Sequence, residues 1–179
     1  MTRKRLAPLL GAALVLGVGL GGFIDGIVLH QLLQWHNMLS SVVPPTDLSA
    51  MMFNMRWDGA FHALVWGATL LGVVLLFRAG RFVHNVWSGR VLAGGMIAGW
   101  GLFNLVEGVI NHLLLGLHHV RPGEHQLAWD LGFLLLGGIG LIALGALLVR
   151  GARGISWGVS TPASLPALVI LPSARTGTR

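Results

Sequence analysis

Asp25, Asp58, Glu107 and Asp130 stand in stretches that are otherwise almost wholly apolar. Each has a histidine close by: His30 after Asp25, His62 after Asp58, His112 after Glu107, and His125 just ahead of Asp130. An ionisable group near the centre of a bilayer costs roughly 2.5–3.5 kcal/mol even on a lenient insertion scale, so it has to be protonated, paired, hydrated or metal-bound. Imidazole and carboxylate together are the donor set of zinc, iron and copper sites, and helix bundles build metal centres from inward residues of this kind. The pattern nominates His30, His62, His112 and Asp130 as metal ligands. Glu107 and Asp58 are the candidates to ligate further or to move protons at a metal-bound water. Asp25, Asn111 and His36 are the candidates to contact the cofactor and orient its ligands. Zinc or iron is the expected ion; copper ranks behind them, and haem with His30, His62 or His112 as axial ligands is less favoured.

Helical angles group these residues into stripes. Asp58 and His62, four positions apart, share a face. Asn104, Glu107, Asn111 and His118 make one stripe, with His112 and His119 on a second about 100° away. In the first apolar run Asp25 aligns with His36, while His30, Gln34 and Asn37 align separately. Two polar stripes per helix exceed what one narrow bundle core needs, so one is expected to face a neighbouring subunit or a water-filled opening. His118 and His119 read as interfacial, and His84 and His125 as weaker candidates still. Met51, Met52 and Met55, with Met38 and His36 upstream, offer thioether and imidazole groups suited to copper(I). The stronger reading of that stretch is an amphipathic segment lying on a membrane surface with Phe53 and Trp57.

The elements that must position these groups are membrane spans. Of 179 residues, 54% are hydrophobic and 10% charged, with a mean hydropathy of +0.75. Soluble domains carry about 25% charged residues. No cysteine is present, which removes disulfides, thiolate metal sites and cysteine nucleophiles. Four apolar runs, about Leu6–Leu33, Gly59–Phe77, Val91–Leu117 and Leu127–Val149, are each long enough to cross as a helix. The expected fold is an all-α integral membrane protein, a four-transmembrane-helix bundle spanning 1–153, with helices near 6–38, 58–78, 91–118 and 127–149. Residues 154–179, broken by Pro162, Pro166 and Pro172, read as a loosely ordered cytoplasmic tail.

Ten basic residues flank one side of this arrangement (Arg3, Lys4, Arg5, Arg78, Arg81, Arg90, Arg150, Arg153, Arg175 and Arg179) and two, Arg56 and Arg121, the other. The positive-inside rule then makes both termini cytoplasmic. The net charge of +6 is an orientation signal and not a nucleic-acid footprint. The site residues fall on the opposite, periplasmic side of a bacterial inner membrane. A cleaved signal peptide is disfavoured, because the first apolar stretch is too long and leads straight into Asp25 and His30. The outer loop breaks at Pro44-Pro45, and Asp47 is placed to cap a short interfacial helix, Leu48 to Trp57. Gly17, Gly19 and Gly22 match a dinucleotide-binding spacing, but no strand precedes them. Gly17/Gly21 and Gly95/Gly99 read instead as small-residue helix-packing pairs.

Several strings occur together and in order: Gly22-Phe-Ile-Asp-Gly-Ile-Val-Leu-His-Gln-Leu-Leu-Gln-Trp-His36, Trp57-Asp-Gly-Ala-Phe-His62, Gly101-Leu-Phe-Asn-Leu-Val-Glu-Gly-Val-Ile-Asn-His112, Leu117-His-His-Val-Arg-Pro-Gly123 and Trp129-Asp-Leu-Gly-Phe133. Over about residues 10–150 the chain resembles the bacterial membrane-protein family known as domain of unknown function 2243. The resemblance implies four inner-membrane helices without an assigned activity. It also implies a second histidine where this chain has Asn37, so that His36 or its neighbour would be a replaceable contact.

The sequence therefore points to a membrane protein binding a transition metal. As an enzyme it would hydrolyse with a metal-bound water, or use oxygen at a di-iron site. A non-catalytic copper handler in oxidase assembly, working with a membrane or periplasmic partner protein, is the main alternative. A proton or ion pathway and a structural protein with a polar mouth are the others. The bilayer is the one certain partner, and a homo-oligomer is compatible with the two-stripe pattern.

Overall fold

The computed structural model describes residues 6–81 and 87–153, and these residues are helical with no strand. Four helices are long and apolar enough to cross a membrane: α1 Ala7–Leu32, α2 Leu48–Gly80, α3 Gly89–Leu114 and α4 Gln126–Ala152. The cytoplasmic-tail assignment for 154–179 and His84 lie outside the described residues.

Local sequence explains the helix starts. Asp47 has extended backbone, and its carboxylate accepts the Ala50 N–H at 2.9 Å and the Ser49 hydroxyl at 2.7 Å. These two donors hold the exposed Asp47 carboxyl below its usual range. Ser88 caps α3 in the same way, its Oγ accepting from Val91 N–H at 3.3 Å. The surface segment expected to be separate, Leu48–Trp57, is continuous with the second span in one 33-residue helix. No proline falls between Leu48 and Gly80 to interrupt it, and Gly59 alone does not.

Two helix ends come earlier than the apolar runs suggest. α1 stops at Leu32 and α3 at Leu114, each followed by a left-handed residue, Gln34 (φ 49°) and Gly116 (φ 58°). His36, His118 and His119 consequently sit on the connections beyond the helices, where the chain turns back across the bundle end.

α1 and α3 form the central pair; α2 packs on α1, and α4 packs on α3. The central pair is close because it is glycine-lined. A Cβ on Gly17 would run into the Met96 carbonyl, and one on Gly99 into the Leu14 carbonyl. The small-residue reading of these glycines holds. Near the end of the bundle where the chain begins, Leu9, Val91 and Ala152 form an apolar core with Leu6, Leu10, Leu76 and Leu92 around it. Large apolar side chains such as Leu64, Phe77, Leu136 and Leu147 face outward, as lipid-facing surfaces require.

Three of the four spans are not α-helical throughout. Asp25–Leu32, Gly108–Leu114 and Phe133–Gly140 wind as π-helix. Among their bonds and caps are five-residue links, Leu33 N–H to Val28 O at 2.8 Å and Leu115 N–H to Ile110 O at 2.9 Å. Such wide turns are rare and concentrate at functional sites. The first two occupy the end of the bundle opposite the apolar core, and the third lies near the middle of α4.

Candidate metal centre

The π winding decides which residues meet. Asp25 and His30, like Glu107 and His112, are five positions apart. On a regular α-helix that is about 140° of separation. A winding that closes every five residues brings them to one face. His30 Nε2 lies 3.4 Å from Asp25 Oδ2, and His112 Nε2 lies 3.3 Å from Glu107 Oε1. The two stripes read on each helix therefore merge into one, inside a single chain, without a neighbouring subunit to receive the second.

Four imidazoles gather there. His36 and His118 stack with ring centroids 4.5 Å apart and planes 8° apart. His30 packs edge-on against His36 at 4.5 Å, and His112 against His118 at 4.9 Å. All four are buried. Each turns Nδ1 outward to an oxygen: His30 to Asp58 Oδ1 at 3.0 Å, His36 to the Val120 carbonyl at 2.8 Å, His118 to the Met38 carbonyl at 2.9 Å, and His112 towards Asp130 Oδ1 at 3.3 Å. The carbonyl contacts require Nδ1–H donors in His36 and His118; His36 Nε2 is left with its lone pair inward, whereas His118 Nε2 shares a proton with Glu107 Oε1. His30 Nε2, His36 Nε2, His112 Nδ1, Asn104 Oδ1 and Glu107 Oε2 are buried without a hydrogen-bond partner. Burial, with His118 and His30 beside it, pushes His36 down to about 3, so this imidazole is neutral.

His30, His36 and His118 form one group whose donor atoms lie within 4.8 Å of one another; Glu107, His112 and His118 form another. Glu107 Oε1 is 3.0 Å from His118 Nε2 and accepts from Asn111 Nδ2 at 3.2 Å. The outer carboxylates are fully engaged. Asp58 accepts from His30, from Asn37 Nδ2 at 2.8 Å and from Met38 N–H at 2.8 Å. Asp130 pairs with His119 Nδ1 at 2.7 Å and accepts from Val120 N–H at 2.9 Å. This is the arrangement in which ligating histidines are oriented by carboxylates and carbonyls behind them. A cavity of about 460 Å³ lies beside the cluster, lined by apolar side chains of α1, α3 and α4 together with Asp25 and Asn104. Trp35 and Trp129 pack at 5.3 Å near its rim, with Arg121 over both rings at 5.2 and 5.7 Å.

The nominated residues thus fall into three positions. His30, His36, His112, Glu107 and Asp25 are at the centre. Asp58, Asp130 and Asn111 stand behind them as hydrogen-bond partners, with both Asp58 oxygens committed. His62 is elsewhere. Its Nδ1 donates back to the Asp58 carbonyl of its own helix at 2.7 Å, and its ring lies by Phe23 and Phe61. Sharing a helix edge with Asp58 does not bring His62 to the centre, because the Asp58 side chain turns inward and the His62 ring does not follow. His118, read as interfacial, is central; His119 is behind it. The methionines Met51, Met52 and Met55 are exposed on α2.

Residues 12–152 match the family model described as Predicted membrane protein (DUF2243). The chain belongs to this family. No curated protein and no solved structure matches it. Membership accords with four spans and a protein embedded in a lipid bilayer, and it assigns no chemistry. Asn37 bonds Asp58 at 2.8 Å, whereas His36 lies among the central imidazoles.

His118 was findable from an internal correspondence. Asp25-Gly-Ile-Val-Leu-His-Gln-Leu-Leu-Gln-Trp-His36 runs parallel to Glu107-Gly-Val-Ile-Asn-His-Leu-Leu-Leu-Gly-Leu-His118, acid to acid and histidine to histidine. Trp57-Asp58 and Phe61 likewise correspond to Trp129-Asp130 and Phe133. The structure repeats the correspondence bond by bond. Gln34 and Gly116 are the two left-handed ends. Met38 N–H and Val120 N–H donate to Asp58 and Asp130, while Asn37 and His119 take the remaining oxygens. His36 and His118 each donate across to a carbonyl of the other repeat. Gly17 meets Met96 as Gly99 meets Leu14. A pseudo-two-fold axis passes between the stacked His36 and His118 rings.

Proposed function

We propose that this protein is a multi-pass membrane metalloprotein that binds a transition metal, zinc or iron, in the histidine–carboxylate cluster. The observation that carries the reading is the common orientation of four buried imidazoles, with Nδ1 toward an oxygen behind and Nε2 toward the centre. A merely structural polar core has no reason to leave His36 Nε2 and Glu107 Oε2 unbonded, since each such group costs about 1–3 kcal/mol. A donor set of nitrogen and oxygen without sulfur suits zinc and iron. The methionines do not line the cluster, so copper handling has no support from it. Rings packed at 4.5 Å leave no slot for a haem macrocycle between them.

By the excess of arginine and lysine at one side, both termini are cytoplasmic and the cluster faces the periplasm of a bacterial inner membrane. The cavity that reaches Asp25 favours a catalytic role among the metal readings, because it gives a small molecule a route to the centre. A bound ion would supply Lewis acidity or redox chemistry; Glu107 and Asp25, whose carboxylates approach the inward nitrogens, would help hold it.

Elemental analysis and an absorption spectrum of the detergent-purified protein test this. Near-stoichiometric zinc or iron without a Soret band is expected, and His36→Ala and His118→Ala should each lower the metal content while remaining monodisperse. No metal after purification, and none taken up from added zinc or iron(II), would return the cluster to structure or proton conduction.

A further inference from the structure

The metal reading leaves one quantity open, the number of ions, and the internal repeat bears on it. Each repeat delivers the same three donors: a carboxylate, the histidine five positions on, and the histidine at the turn beyond. In the second repeat these are Glu107, His112 and His118, and their donor atoms already lie within 4.8 Å of one another. In the first they are Asp25, His30 and His36. His30 is 3.4 Å from Asp25 and packs on His36 at 4.5 Å. Asp25 is one methylene shorter than Glu107. Glu107 touches both histidines of its repeat, whereas Asp25 stops at His30, and His36 Nε2 is left without a partner.

His118 belongs to both groups of donors that can surround an ion, yet it has only one free nitrogen, because Nδ1 donates to the Met38 carbonyl. One imidazole nitrogen binds one ion. If His118 serves Glu107 and His112, His30 and His36 need another third donor, and Asp25 is the carboxylate already beside His30 Nε2.

Charge gives a second, independent reason. Asp25, Asp58, Glu107 and Asp130 are 6, 1, 8 and 1% exposed. Among the described residues every ion pair they make is with a histidine, and no lysine or arginine reaches them. Asp130 keeps His119 as a partner, but ligating imidazoles are neutral, so ligation by His30, His36, His112 and His118 leaves Asp25, Asp58 and Glu107 with no cation but the bound metal. One divalent ion leaves a net negative charge among these three buried carboxylates; a second removes it.

We infer that the centre is dinuclear, with one divalent ion held by Asp25, His30 and His36 and the other by Glu107, His112 and His118, related by the pseudo-two-fold axis. Two histidines and one carboxylate per ion leave open positions at each, the donor set of non-haem iron(II) oxygenases. Helix bundles that supply carboxylate and histidine inward from facing helices hold paired metals. This inference rests on the metal reading above and sharpens it.

The test is zinc stoichiometry of the full-length protein in detergent, stripped with a chelator, reloaded with zinc alone, desalted and analysed per polypeptide. Two zinc ions are expected in the unaltered protein. Asp25→Asn and Glu107→Gln are each expected to lower the count to one, and the double variant to none, with gel filtration confirming that each remains monodisperse. A single zinc in the unaltered protein would overturn the dinuclear inference and leave the metal reading standing. None would overturn both. Two ions that survive the double variant would lie elsewhere and overturn both as well. Cobalt(II) in place of zinc supplies a readout that needs no variant: two ions in this cluster give a magnetically coupled spectrum, and isolated-ion signals alone would count against it.

Discussion

The two repeats of this protein share a frame and differ in its details. In both, a glycine-lined helix ends in a π-wound segment carrying an acid and a histidine, a left-handed residue turns the chain, and a second histidine is delivered beyond it. In both, an aspartate of the next helix accepts the turn's N–H and stands beside the first histidine's Nδ1. The differences lie around that frame. Glu107 stands for Asp25, His119 for Asn37 and Gly116 for Gln34; His62 has Leu134 as its counterpart. What the repeats keep in common is what the centre needs, and what they do not keep marks the contacts it tolerates losing. His62 falls outside what the repeats share and lies away from the central imidazoles.

The comparison can be broken or sharpened in order of effect. His36→Ala and His118→Ala remove inward Nε2 donors from equivalent places, so each should remove the ion of its own repeat and lower the metal count in elemental analysis by the same amount. A loss confined to one of them would mean that the repeats are not functionally paired. Next, Asp58→Asn and Asp130→Asn weaken the groups behind His30 and His112. Each should cost about 10–100-fold in metal affinity, the usual effect of losing such a support. Competition with a chromogenic chelator would measure it, and effects differing by more than that range would deny the equivalence.

Smaller effects follow at the turns. Gln34 occupies a left-handed position that costs a side-chain-bearing residue roughly 1–2 kcal/mol. Gln34→Gly copies the other repeat and should raise thermal stability in detergent by about 1 kcal/mol after glycine's own entropy cost. A fall in stability would show that the Gln34 side chain contributes something Gly116 lacks. The smallest effect belongs to His62→Leu, which copies Leu134: metal content should be unchanged, and any loss of metal would put His62 back among the ligands.

Much of this was legible in the sequence. Four spans follow from hydropathy and length, because the bilayer demands roughly 20 apolar residues per crossing. Asp47 was readable as a cap and the glycines as packing surfaces, since both depend on local chemistry. The gathering of His30, His112, Glu107 and Asp25 was legible from the cost of placing them in an apolar run. Their faces were not. An angle of 100° per residue assumes a regular helix, and the π turns after Ile24 and Glu107 change the winding just where the assignment mattered. His118 was missed for a related reason: it was placed on a helix stripe, whereas the helix ends at Leu114 and the connection folds it inward. The repeat linking His118 to His36 was the signal for it, and it lies in the spacing of acids and histidines, which hydropathy does not register.

X-ray absorption at the metal edge of the zinc- or iron-loaded protein tests the central claim most directly. The account predicts a first shell of nitrogen and oxygen only, near 2.0–2.1 Å for zinc–nitrogen, with imidazole outer-shell scattering equal to two histidines per ion. A shell without imidazole, or one containing sulfur from the exposed methionines, would contradict it.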